Sequence, residues 1–332
     1  MSAAPTPRSA ADAQAAECRR TLRRAPRLMP ALGKGVLTGI GKRPRPDAEL
    51  PATRLVLPAQ RIDPAALAAY ARVCGFPATG PLPVTYPHIL GFPLAARLMS
   101  SRAFPLPLLG LVHTAIGIEQ WAPLHPDDAL ELTVYAAQLL PHRRGTEVVM
   151  TTEARRGDTL VWTDRSTYLA RHRVPAGEPA EAPAPPPPAP LPARAAWQLP
   201  AGLGRRHAAV SGDYNPIHLH PLTARPLGFP RAIAHGMWTF ARCAAEAVPH
   251  GAAAVRISAA FRAPVLLPAT VTYAQTEPTG TTDGGTPDAT ENAAEDAAES
   301  LAFQLRSGGD DRPRIHLDGR LTTSGTVRRA PH

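Results

Sequence analysis

Residues 211 to 218 read Ser-Gly-Asp-Tyr-Asn-Pro-Ile-His. A carboxylate (Asp213), a carboxamide (Asn215) and an imidazole (His218) fall within six positions, with Gly212 and Pro216 restricting the backbone between them. Glycine, aspartate, asparagine and proline together also make ordinary surface turns. Two further features favour chemistry. His218 follows at a short fixed distance, and a second short signal, Ala-His-Gly-Met-Trp at residues 234 to 238, opens an apolar-periodic segment that ends before Pro249. A carboxylate that accepts from one imidazole nitrogen leaves the other nitrogen ready for proton transfer near neutral pH, so Asp213 and His218 form a candidate acid/base pair acting on one water. The backbone NH of Gly236 is expected at a helix N-terminus, where unpaired donors and the helix dipole favour negative charge.

The same stretch occurs twice. Tyr70 to Phe76 reads YARVCGF and His207 to Asp213 reads HAAVSGD. In the first copy Phe76 stands where Asp213 stands, and nothing like Asn-Pro-x-His follows, so chemistry is expected in the second copy alone. The order of elements repeats as well. In the first half a helix from Asp63-Pro64 to about Val73 and a helix over 88–99 precede four strand-like segments at 109–121, 129–139, 146–155 and 159–170. In the second half a helix at 203–210, the loop and a helix from Gly236 precede strand candidates near 253–263, 268–275, 300–306 and 313–323.

These residues resemble the MaoC-like (R)-specific enoyl-CoA hydratases and acyl dehydratases. The signature of that family is an aromatic residue, a spacer, SGDxNPxH, five residues and a small one. His207 occupies the aromatic position as a departure, Val210 to His218 fit as VSGDYNPIH, and Ala224 takes the small position. The resemblance implies an α+β double hotdog: two antiparallel sheets, each wrapped around a central helix, forming an internal pseudo-dimer. It implies Asp213 and His218 as the catalytic pair, with Asn215, Ser211 and Gly212 placing water and substrate. The Gly236 NH would receive the thioester oxygen, and His235 and Met237 would line the site. The implied reaction is hydration of a trans-2-enoyl-CoA to the (3R)-hydroxyacyl-CoA. The alternatives are dehydration of a 3-hydroxyacyl thioester in lipid or polyketide synthesis, or a non-catalytic acyl-thioester-binding subunit.

Composition sets limits on this reading. With 332 residues, 44% of them apolar, the chain can build two cores of ordinary size. The +9 charge is scattered, lysine appears only at Lys34 and Lys42, and no nucleic-acid motif accompanies the arginines, so a nucleic-acid partner is not expected. No apolar run approaches the ~18 residues of a membrane span, and no secretory leader is evident. Three cysteines without CxxC spacing point to neither disulfides nor zinc, and fit a reducing cytoplasm. His220 lies two residues after His218 without a carboxylate or cysteine at ligand spacing, so no metal is expected. No cofactor is expected beyond coenzyme A as part of the substrate, and the expected partners are an acyl-CoA or an acyl carrier protein. The molecule would be a monomeric pseudo-dimer or a homodimer.

Four stretches complete the expected organisation. Residues 1–48, with ten basic side chains against Asp12, Glu17 and Asp47, read as a mobile basic arm. A degenerate hotdog domain spans 49–173. Residues 174–195 form a proline-rich linker, with nine prolines between 175 and 192. The catalytic domain spans 196–325, interrupted at 276–300 by an insertion with seven acidic residues and no Lys or Arg, read as a disordered loop.

Overall fold

The computed structural model describes residues 18–28, 35, 38–39, 41–108, 110–174, 188–281, 298–309, 313–328 and 330. Residues 175–187 of the proline-rich linker and most of the acidic insertion, 282–297, lie outside these residues. Within the stretch read as an arm, Cys18–Thr21 forms strand β1, parallel to β2 (Thr53–Arg61).

The two helices that close the duplicated segment start differently and end by the same local rule. Helix α1 (Pro64–Cys74) starts on Asp63, whose side chain accepts from the amides of Ala65 at 2.8 Å and Ala66 at 3.3 Å, with proline in the first turn. Helix α3 (Leu203–Ser211) has no such cap. Each ends on a glycine in the left-handed region, Gly75 at φ 82° and Gly212 at φ 74°, which turns the chain sharply into the following loop. The repeat read in the sequence is therefore a repeat in backbone geometry. Helix α2 (Tyr86–Met99) carries Pro93 inside it, and helix α4 (Gly236–Ala247) takes the matching place in the second half.

The strands run β3 (Val112–Gln120), β4 (Ala129–His142), β5 (Gly145–Arg156), β6 (Thr159–Arg171), β7 (Ala193–Leu199), β8 (Ala254–Phe261), β9 (Ala269–Gln275), β10 (Thr279–Thr281), β11 (Ala298–Ser307) and β12 (Arg314–Ser324). They form one sheet in the order β1-β2-β4-β5-β6-β3-β8-β12-β11-β9-β7, with β10 on β11. The order β2-β4-β5-β6-β3 in the first half mirrors β7-β9-β11-β12-β8 in the second. This is the double hotdog expected above.

The halves join through antiparallel β3 and β8, where Gly117 faces Ser258 and Ile118 faces Ile257. Ile118 and Ile257 are fully buried, and one apolar core runs through both halves, from Leu94 and Trp162 to Phe240 and Phe303. Burying each such side chain contributes about 1.5–3 kcal/mol, so the seam is a continuous interior.

Four strands were not legible in the sequence: β1 falls in the stretch read as a mobile arm and β10 (Thr279–Thr281) in the stretch read as a disordered loop, and β2 and β7 have local reasons. β2 contains Pro58, and proline argues against a strand interior. Here the chain accommodates it by a register shift between Leu57 and Gln60, with Ala59 at φ 51°. β7 overlaps the end of the stretch read as linker and has three alanines among its seven residues, without the β-branched residues that mark a strand.

Candidate active site

Asp213 leaves α3 through the Gly212 turn, and the loop then folds on itself. Its carboxylate Oδ1 accepts from the Asn215 amide at 3.1 Å, and the Asn215 Oδ1 in turn accepts from the Ile217 amide at 3.4 Å, starting the helical turn Pro216–His218. Ser211 is engaged in the same loop: its hydroxyl donates to the His207 carbonyl at 2.9 Å and accepts from the Asp213 amide at 3.2 Å. The turn glycine, proline and asparagine thus hold up the backbone that presents Asp213 and His218.

His218 is 7% exposed, and its Nδ1–H donates to the Ile233 carbonyl at 2.9 Å. That bond fixes the tautomer and leaves Nε2 as the basic nitrogen. Burial, with His235 adding to it, pushes its pKa down to about 3 against the opposing pull of Asp213, so the ring is neutral at pH 7. The imidazole that touches Asp213 is His235, not His218. His235 Nε2–H donates to the Asp213 carbonyl at 2.9 Å and lies 3.8 Å from Oδ2 of the carboxylate. Its ring stacks on His218 with centroids 3.6 Å apart. Ligand atoms of Asp213, His218 and His235 all lie within 4.8 Å of one another, so His235, which the sequence reading gave only as lining, joins the expected pair.

Behind His235 stands His207, 1% exposed and tilted against it at 4.6 Å. Neither His207 Nε2 nor His235 Nδ1 has a hydrogen-bond partner among the described residues, and burial holds both rings below their ordinary pKa. Three neutral imidazoles thus form a row, His207–His235–His218, whose middle ring contacts Asp213. Asp213, His218 and His235 could also hold a cation, since their ligand atoms lie within 4.8 Å of one another. A metal at His235 Nε2 would displace its bond to the Asp213 carbonyl, whereas acid/base chemistry uses the atoms as they stand.

Gly236 is the first residue of α4, and no side chain caps that helix. Its first-turn amides are open to a ligand oxygen. A side chain could not replace this glycine freely, because a Cβ would come within 3.2 Å of the Phe261 ring. Met237 follows, buried. Phe261 belongs to β8, and beside it lie His113 of β3, ring centroids 4.8 Å apart, and Tyr168 of β6, stacked on His113 at 4.5 Å. These three residues were not singled out from the sequence. Their signal, an aromatic or imidazole side chain on three neighbouring strands, becomes visible only when the strand order is known.

The corresponding place in the first half is closed. Tyr70, the counterpart of His207, hydrogen-bonds Thr85 at 2.7 Å, and both are fully buried. Thr85 precedes α2 as His235 precedes α4, and Tyr86 stands where Gly236 stands. Phe76, in the position of Asp213, stacks on Tyr70 at 6.3 Å.

The fold and the site together define a double-hotdog hydro-lyase in which an Asp–His constellation meets a helix N-terminus. A family model described as a MaoC like domain matches residues 197–297. The chain is 40% identical over 228 residues to a protein of Mycobacterium tuberculosis named 3-hydroxyacyl-thioester dehydratase X, covering 68% of this chain and 81% of that one. The chain belongs to the MaoC-like dehydratase family. The crystal structure of HtdX from the same organism aligns at a TM-score of 0.64 and 32% identity over 81% of this chain and 98% of that one. A MaoC-like dehydratase from Phytophthora capsici shares the fold at a TM-score of 0.59 with 17% identity, over 87% of this chain and 97% of its own.

Proposed function

We propose that the protein catalyses the reversible addition of water to a trans-2-enoyl thioester, giving the (3R)-hydroxyacyl thioester, with coenzyme A as the carrier. The observation that carries this reading is the meeting of Asp213, His218 and His235 with the uncapped N-terminus of α4. Water held between Asp213 and His218 gives a proton to Nε2 of neutral His218 as its oxygen bonds to C3. The C2–C3 π electrons move toward the thioester, whose oxygen gains negative charge. Preorganised amides are worth about 3 kcal/mol to such an oxyanion, and the Gly236 NH supplies that position. The proton taken by His218 returns to C2 from the same face, so the addition is syn and no proton is left over.

Read backwards, the same steps dehydrate a 3-hydroxyacyl thioester, the activity in the name of the 40% identical relative. One site serves both directions, and an acyl carrier protein could replace coenzyme A without changing the chemistry. Residues 196–325 carry the reaction in this reading, and residues 49–173 shape the chamber for the acyl chain. Buried free thiols at Cys74 and Cys243 fit a cytoplasmic setting. Among the described residues, no helix is long and apolar enough to cross a membrane.

The test offers purified protein a short and a medium trans-2-enoyl-CoA and follows loss of the conjugated thioester absorbance and the chirality of the product. Formation of the (3R) alcohol supports the reading. Absence of turnover with every chain length and with carrier-bound substrates sinks it.

A further inference from the structure

The mechanism above uses no side chain from the first half, yet that half sends a chain of polar groups toward the site. Strand β6 reads Asp164-Arg165-Ser166-Thr167-Tyr168, and alternation puts Asp164, Ser166 and Tyr168 on one face. Asp164 and Ser166 are buried, at 1% and 2% exposure, where a lone carboxylate would be costly. It is not alone. His88, from the first turn of α2, meets its Oδ2 through Nδ1 at 2.7 Å, and the Ser166 hydroxyl donates to its Oδ1 at 3.2 Å.

Tyr168, two residues further on, is half-buried. It lies on the wall that leads to the oxyanion position, because its ring stacks on His113, His113 meets Phe261, and the Phe261 ring packs against Gly236. Burial, then Asp164, then Asp213 push the ionisation of its phenol well above the ordinary range, with Ser166 opposing. Two carboxylates from opposite halves thus act on one hydroxyl, which stays protonated across the working pH range. A phenol that keeps its proton can serve as a hydrogen-bond donor.

We infer that Tyr168 is a catalytic residue supplied by the first half, its hydroxyl donating to the oxygen that is added to or lost from C3, with Ser166, Asp164 and His88 as positioning residues behind it. The water would be held from three sides: Tyr168 donates to its oxygen, while Asp213 and His218 accept its protons. In dehydration the same O–H bonds the departing hydroxyl oxygen. No proton leaves Tyr168 at any stage. The half that has lost its own site would therefore complete the site of the other.

This inference rests on the proposed hydration. Tyr168→Phe keeps the ring on His113 and removes only the hydroxyl. It should lower kcat about 10- to 100-fold while KM moves less than about threefold, since the lost bond is made to the reacting oxygen. Ser166→Ala should lower kcat in the same direction. In the Tyr168→Phe background it should add nothing, because it acts through the hydroxyl already removed. A purely structural role would instead give additive losses and a fall in melting temperature. If Tyr168→Phe does not fold, Ser166→Ala alone decides: an unchanged kcat overturns the inference. An active wild type with an equally active Tyr168→Phe variant overturns it and leaves the hydratase reading standing. A wild type inactive on every thioester overturns both.

Discussion

At the scale of single residues, the division of labour rests on charge states. Asp213→Asn keeps size and the loop bond to Asn215 but removes the negative charge, and His218→Ala removes the base. Each should reduce kcat by about 100- to 10,000-fold. Because both act on one water, the double variant should be scarcely worse than either single one. Binding of an unreactive acyl-CoA, measured by calorimetry, should change by no more than about tenfold. A wild-type rate in either variant would remove that residue from the mechanism. The buried histidines also carry a pH signature. His218 and His113 are held at about 3 by burial, below the ordinary ~6.5 that they regain on unfolding. Between these values the unfolded chain binds more protons, so stability is full above about pH 6.5 and falls as pH drops toward 3. Each such histidine contributes a slope of at most about 1.4 kcal/mol per pH unit. The melting temperature should drop between pH 7 and 5, and His218→Asn should flatten that drop. An equally steep decline in the variant would assign the slope to other groups.

At the scale of elements, the catalytic loop is placed by how closely it approaches α3. A Cβ on Gly204 would lie 1.9 Å from the His218 carbonyl oxygen, a backbone atom that cannot rotate away. Alanine would gain about 1 kcal/mol of helix propensity over glycine. The clash should outweigh it, so Gly204→Ala is expected to lower both melting temperature and kcat. A stabilised, fully active variant would show that the loop yields. This glycine also marks the limit of sequence reading. Gly212 and Gly236 were legible because each bounds a periodic segment, whereas Gly204 sits inside a helix and its reason is the carbonyl of His218, fourteen residues on. His235 was placed in the site from the sequence, but its bond to Asp213 depends on how a turn and a helix start converge. Helices α1, α2 and α4 and the paired strands β4–β6 were legible from capping residues, periodicity and a two-residue turn. β2 and β7 were not, since a proline in one and alanines in the other hide strands that only tertiary pairing stabilises.

At the scale of the whole molecule, the two halves are joined by β3 and β8, and each half without the other would leave one of these strands as an unpaired edge. A fragment beginning at residue 188 would expose β8, with its buried Val255, Ile257 and Ala259, as an unpaired edge. Such a fragment should aggregate or self-pair, which size-exclusion chromatography would reveal. A stable, active monomer of the second half would contradict this account and would also dispense with Tyr168. Titration of the intact chain with a tight product analogue should give one site per chain, because Tyr86 and the Tyr70–Thr85 bond fill the first half's counterpart.

The seam has a further consequence, for how such a protein can change over time. In a homodimer every substitution appears twice, so a residue that improves one copy of a site is imposed on the other copy as well. Here Phe76 and Asp213, or Tyr86 and Gly236, are separate positions in one chain. Covalent fusion releases each half from the symmetry of its partner, and the first half can trade its own chemistry for a wall fitted to a single substrate.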